Sequence, residues 1–88
     1  MNFIKITKAI SDSTRFEILR KIGETEEMYC TKLTDMFPIT QPAISHHLKI
    51  LGEADLIKGR KEGQHLYLSM NHPVLKEYTK YLKTTLSF

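Results

Sequence analysis

The hydrophobic repeat of this chain changes period at Leu56, and that change limits the folds open to it. Before Leu56, apolar residues recur at the i, i+3 and i+4 spacing of helix faces. After it, Leu56, Ile57, Leu66, Leu68 and Met70 flank the basic, glycine-containing centre Gly59 to Gly63, as in two strands joined by a loop. A run of helices followed by a β-hairpin is expected. Asn71 or His72, with Pro73 in the first turn, then opens a last helix striped by Leu75, Tyr78 and Leu82.

Four helices are read ahead of the hairpin. Phe3, Ile6 and Ile10 stripe the first, over residues 2–10. Ser11 or Asp12 caps the second, near 12–22, with Phe16, Leu19 and Ile22 on one face and Gly23 offering a stop. A short third helix covers 30–37, carrying Leu33, Met36 and Phe37, and ends before Pro38, whose ring disfavours a helical residue ahead of it. Thr40 caps the fourth, over 40–54, where Ile44, Leu48 and Leu51 repeat at i, i+4 and i+7.

The third helix, the turn Pro38-Ile39-Thr40 and the fourth helix have the spacing of a DNA-binding helix-turn-helix. With Ile44, Leu48 and Leu51 turned inward, Gln41, Pro42, Ser45, His46 and Lys49 occupy the opposite side or its flanks, while His47 lies near the apolar side. Gln can bond adenine twice, Ser can serve base or phosphate, Lys can reach guanine or the backbone, and His can donate one hydrogen bond. The plainer reading is a solvated polar face on an ordinary core helix. The basic hairpin tips the balance: Lys58, Arg60, Lys61 and His65 cluster beside its loop and can neutralise phosphates. The same charges would also keep a sheet edge from aggregating.

Composition fits such a partner. Thirteen Lys and Arg against ten Asp and Glu give a net charge of +3, a mild bias toward polyanions. Cys30 is the one cysteine, which excludes an internal disulfide framework and fits a reducing compartment. The N-terminus breaks its apolar residues with lysines, so neither a signal peptide nor a membrane span is read, and a cytoplasmic location is expected. No nucleophile–base–orienter set, phosphate-binding glycine loop or paired carboxylate is recognisable, so no catalysis is expected.

The segment Asp12-Ser13-Thr14-Arg15-Phe16-Glu17-Ile18-Leu19 resembles the DPTR-x-x-IL opening of ArsR/SmtB-family repressors, and Thr40 to Leu51 resembles their S-Q-P-x-x-S-x-H-L-x-x-L recognition helix. Glu53 to Ile57, then Gly59 to Gly63 with Tyr67-Leu68, resembles the family's EAGLV segment and wing, so the likeness runs from about Ile10 to Met70. Ser13 stands for the usual Pro, Thr40 for Ser, and Asp55 for a common Gly.

This resemblance implies a winged helix-turn-helix, mainly α with a small hairpin (α+β). It also implies a homodimer held by helices 2–10 and 72–86, presenting two recognition helices to a near-palindromic operator. The stripes Phe3, Ile6, Ile10 and Leu75, Tyr78, Leu82 are long for a domain of 88 residues to cover alone. Each residue of these stripes could equally pack within one subunit.

Many members of that family bind metal through Cys-x-Cys at the third helix; here Tyr29 and Thr31 hold those positions with Cys30 between them. The family's other site, on the last helix, needs a second histidine that residues 72–88 lack. His46 and His47 are adjacent on a helix and point about 100° apart. No metal or other cofactor is therefore expected. Cys30 is read as a small buried thiol rather than half of an intersubunit redox switch.

The chain thus reads as one domain, 1–88, that represses transcription by binding double-stranded DNA through helix 40–54 and the wing 58–65, with Thr40, Gln41, Pro42, Ser45, His46, Lys49, Arg60, Lys61 and His65 as its contacts. The inducer is not specified by these residues. The competing readings are a winged-helix module that holds a protein partner, since fold does not fix function, and a sensor of an unusual ligand or redox signal.

Overall fold

Three of the five helices begin where a short polar side chain takes up an orphan backbone N–H. A computed structural model describes residues 1–88. In it, Asn2 accepts from the Lys5 N–H ahead of α1 (Phe3–Ala9), Asp12 from Arg15 ahead of α2 (Ser13–Gly23), and Thr40 from Ala43 ahead of α4 (Gln41–Glu53). The short α3 (Cys30–Asp35) and the long α5 (His72–Leu86) have no side-chain cap. Asn71, before α5, instead donates from Nδ2 to the Asp55 carbonyl, 2.8 Å away, tying the start of α5 to the end of α4.

Between α2 and α3 lies a strand that periodicity does not announce, β1 (Met28–Tyr29). It pairs with β3 (His65–Met70), which pairs in turn with β2 (Ile57–Glu62), giving an antiparallel sheet in the order β1-β3-β2. Two residues are too few to show alternation. Leu68 is the partner of both Met28 and Gly59, so β3 is the central strand.

The hairpin differs from expectation at its tip. Gly59 to Glu62 are strand rather than loop, and the connection shrinks to Gly63-Gln64 between the paired Glu62 and His65. Gly63 has φ of 61°, the backbone that a two-residue hairpin turn with glycine first requires. α3 is also shorter than its apolar residues suggested, ending at Asp35 with Met36 as cap, since Pro38 keeps the preceding residue out of the helical region.

Gly23 has a different role from the stop expected of it. It is the last residue of α2, followed by Glu24 in right-handed geometry, and a Cβ there would collide with the Sδ and Cε of Met70. α2 therefore approaches β3 closely at this point. At the end of α4 the left-handed residue is Asp55, with φ of 60°. Its N–H reaches the Gly52 carbonyl and that of Leu56 the Leu51 carbonyl, both at 3.0 Å, which is the Schellman pattern. Leu51 and Leu56 are both fully buried, as the hydrophobic contact of that motif requires.

Fourteen residues, all apolar or aromatic, form one core where α1 to α4 meet the inner face of the sheet. Ile6, Ile18, Ile22, Leu33, Ile44, Leu51 and Leu56 are sealed within it. α5 adds only Tyr78 to the buried set, so most of this 15-residue helix lies outside the core. No helix is long and apolar enough to cross a membrane.

Candidate nucleic-acid interface

The core fixes the orientation of α4. With Ile44 and Leu51 buried and Leu48 half-buried, Gln41, Pro42, Ser45, His46 and Lys49 are all exposed on the other side. Gln41 to Lys49 spans about 12 Å of helix axis, close to the width of a DNA major groove, about 12 Å. Lys49 has no ion-pair partner. Thr40 is exposed but already occupied: its Oγ1 accepts from the Ala43 N–H at 3.3 Å. Its role is thus first that of a cap, which leaves its hydroxyl proton free to donate.

His47 faces α2, as the helical wheel indicates. Its Nδ1 lies 3.4 Å from Nη1 of Arg15, whose other nitrogens donate to the Ala9 and Lys8 carbonyls at the end of α1. One side chain thus braces the exit of α1 against α4. The Arg15 of the sequence motif belongs to the scaffold of the interface rather than to its surface.

The hairpin divides its charges between two faces. Pairing places Lys58, Arg60, Glu62, His65 and Tyr67 on the outer face, with Ile57, Gly59, Lys61, Leu66 and Leu68 on the face that packs against the helices. Lys58 and Lys61 are exposed and unpaired. Arg60 is not free: its Nε and Nη2 donate to the two carboxylate oxygens of Glu27 at 2.9 Å each, and its Nη1 to Glu62 at 2.6 Å. Its guanidinium also lies 4.5 Å from the centre of the Tyr67 ring. His65 meets the Tyr29 ring edge-on at 5.3 Å, and Tyr67 Oη donates to Tyr29 Oη at 2.8 Å. Glu27, Tyr29 and Tyr67 were not among the expected site residues, and only the register of a two-residue strand brings them there.

An exposed polar helix face beside a basic hairpin is the surface of a winged helix-turn-helix, and residues 12–58 match the family described as "Bacterial regulatory protein, arsR family". The chain belongs to the ArsR family. Over 72 residues it is 40% identical to "Transcriptional repressor SdpR" of Bacillus subtilis, covering 82% of this chain and 79% of that one. It is 38% identical to the "Arsenical resistance operon repressor" of Staphylococcus aureus, covering 82% and 68% of the two chains. Among solved structures it superimposes on an ArsR-like transcriptional regulator from Rhodococcus sp. RHA1 with a TM-score of 0.87 and 25% identity, over 97% of this chain and 79% of that one. This ArsR-family protein is a DNA-binding transcriptional regulator with a winged helix-turn-helix fold. Its departure at Asp55 has a conformational explanation: the position is left-handed, where Gly is the residue of least strain and Asp one of the few tolerated alternatives.

The terminal helices of this ArsR-family protein lie side by side. Phe3 stacks on Tyr78 with ring centres 5.2 Å apart and tilts against Tyr81 at 4.9 Å, and the Thr7 and Tyr78 hydroxyls are 2.7 Å apart. Ile6 and Tyr78 are buried within the subunit, and Phe3, Ile10, Leu75 and Leu82 are half-buried. Other residues of the same two helices and the C-terminus stay out: Ile4 is 59%, Leu86 65% and Phe88 73% exposed.

Around Cys30, Tyr29 is hydrogen-bonded to Tyr67 and Thr31 is exposed. Burial pushes the Cys30 thiol above its ordinary pKa. The His46 and His47 rings are 6.0 Å apart, and no three His, Cys, Asp or Glu side chains converge anywhere in the chain.

Proposed function

We propose that this protein is a homodimeric repressor that places α4 of each subunit in successive major grooves of a near-palindromic operator, with the wing against the flanking phosphates. The observation that carries this reading is the exposed face of α4. Gln41, Ser45, His46 and Lys49 project from a helix whose opposite side is locked in the core, so a rigid element presents donors and acceptors of the kind that base edges complement. With the Ala43 N–H capped by Thr40 and none on Pro42, the Gln41 N–H and the positive end of the helix dipole favour a phosphate at the start of α4.

Dimerisation rests on the outer sides of α1 and α5. Ile4, Tyr81, Leu86 and Phe88 remain exposed in a chain whose small core leaves little reserve of stability. A two-fold axis beside these helices would cover them and set two copies of α4 about one helical turn of DNA apart. Repression is the activity named for the relatives in Bacillus subtilis and Staphylococcus aureus.

The test is fluorescence anisotropy on duplexes recovered by selection from a random pool. Changing Gln41, Ser45 and His46 together to Ala is expected to abolish discrimination between the selected duplex and a scrambled one. Unchanged discrimination would remove α4 from the role of reader. Ile4→Glu with Leu86→Glu is expected to give monomers in sedimentation velocity and to lose cooperative operator binding.

A further inference from the structure

We propose that Glu27 and Arg60 form a latch that sets the wing relative to the helix-turn-helix, so that Arg60 serves DNA binding by positioning Lys61 rather than by touching a phosphate. The inference rests on the reading of the hairpin as a DNA-binding wing and assigns different duties to its cations.

The geometry begins with strand order. Arg60 is paired with Tyr67, and Tyr67 with Tyr29, so the three side chains form a row across the outer face of the sheet. Glu27 lies two residues before Tyr29, at the edge remote from β2. To reach it, the Arg60 guanidinium crosses the face of Tyr67 and ends in a two-point bond to the carboxylate. β1 runs directly into α3, the first helix of the helix-turn-helix. The latch therefore joins the outer strand of the wing to the segment that leads into the reading head.

Beside the latch, the outer face of the hairpin is held to β1 by the contacts of Tyr29 with Tyr67 and His65. Only two residue pairs join β3 to β1, and residues 58–65 are exposed throughout. A planar, bidentate Arg–carboxylate pair resists rotation as a single-point contact does not.

The same geometry removes Arg60 from the supply of free cations. Nε, Nη1 and Nη2 each donate to a carboxylate, and the group of Arg60, Glu27 and Glu62 carries a net negative formal charge. Three of its five N–H donors are taken, so a phosphate could reach only the two that remain, against the repulsion of two adjacent carboxylates. Lys61 has no such partner and lies on the face that carries the helices. The two carboxylates raise the Arg60 pKa above its ordinary value, and the Arg60 hydrogen bond lowers that of Glu27.

The two roles predict opposite signs for one substitution. Glu27→Gln removes a negative charge beside the wing, so it tightens DNA binding if Arg60 seeks phosphate and weakens it if the latch matters. Arg60→Lys keeps the charge but loses the fork. Affinity for the selected duplex is measured by anisotropy across a salt series for wild type, Glu27→Gln, Arg60→Lys, the double variant and Lys61→Ala, with thermal melting of each. Expected for the latch is a loss of roughly two- to five-fold in affinity for either single variant, the range an exposed ion pair supports. The double variant should be no worse, and the salt slope unchanged. Lys61→Ala alone should flatten the slope, by about 0.9 for one phosphate.

Tighter binding by Glu27→Gln with wild-type affinity for Arg60→Lys would overturn the latch and make Arg60 a phosphate contact. Lowered melting temperature with unchanged affinity would reduce the pair to a structural contact and overturn it equally. A flattened slope for Lys61→Ala with wild-type behaviour of the other variants would sink the latch alone. Wild-type behaviour of all four would sink the wing reading and the latch with it.

Discussion

Arg15 in α2 points its Nη1 at Nδ1 of His47 in α4, 3.4 Å away, and donates from Nε and Nη2 to the carbonyls that end α1. A guanidinium only donates, so Nδ1 of His47 is the acceptor of the pair. The helix proposed to read DNA and a terminal helix proposed for dimer contact are therefore braced through one side chain.

Replacing that brace has a graded outcome. Arg15→Ala leaves the Ala9 carbonyl without its partner, while the Lys8 carbonyl keeps the Ser11 hydroxyl and N–H; the change should cost about 1–3 kcal/mol, lowering Tm by roughly 4 °C or more in a domain this small. Arg15→Lys should recover only part of this, because one ammonium cannot span three acceptors on two elements. Thermal melting by circular dichroism checks both. Equal Tm for wild type and Arg15→Ala would refute the bracing role.

Asp55 sits in left-handed backbone and is the residue that closes α4. Asp55→Gly should stabilise the fold by about 0.5 kcal/mol, as relief of left-handed strain outweighs the backbone entropy of glycine. Asp55→Val should destabilise it by about 1–2 kcal/mol. Urea unfolding with both variants provides the comparison, and a loss of stability in the glycine variant would contradict the assignment.

Cys30 is half-buried, and its burial disfavours the thiolate. Its alkylation by iodoacetamide at about pH 8 should be slower than that of a cysteine in an unfolded peptide, and should accelerate when the protein is denatured in urea. Folded and unfolded rates that coincide would show an ordinary exposed thiol.

Two carboxylates give stability a defined acid limb. The Arg15 backbone N–H lowers the pKa of Asp12, and the Arg60 side chain lowers that of Glu27. A depressed folded-state pKa means that each contribution is complete above the unfolded-chain value, about 4, and is lost as pH falls through the lower folded value. The contribution of these two groups should be complete from neutral pH down to about 5 and fall below about 4. Asp12→Asn and Glu27→Gln should each shrink that acid-dependent drop, as followed by chemical denaturation across pH.

The sequence was most legible where signals are local. Caps, proline positions and helical spacing place α4 within one residue of its expected limits, and the outward set Gln41, Ser45, His46 and Lys49 follows from which side carries Ile44 and Leu51. The hairpin was legible as a change of period, but not its tip, because Gly59 to Glu62 look like loop until their partners on β3 are known. β1 was invisible for the same reason: a strand of two residues has no pattern of its own and exists only as a partner of Leu68 and Tyr67.

The sequence by itself determined the order of helices and hairpin and the polar face of α4, since both depend on periodicity and capping among near neighbours in the chain. The tertiary structure alone decided which cations are free. Arg60 and Lys61 are adjacent and look equivalent in the sequence, yet one meets Glu27, 33 positions away, and the other meets solvent. The tertiary structure likewise turned Ile6 and Tyr78 inward while leaving Ile4 and Leu86 outside. These outcomes depend on strand order and helix packing, which bring together residues that no local pattern relates.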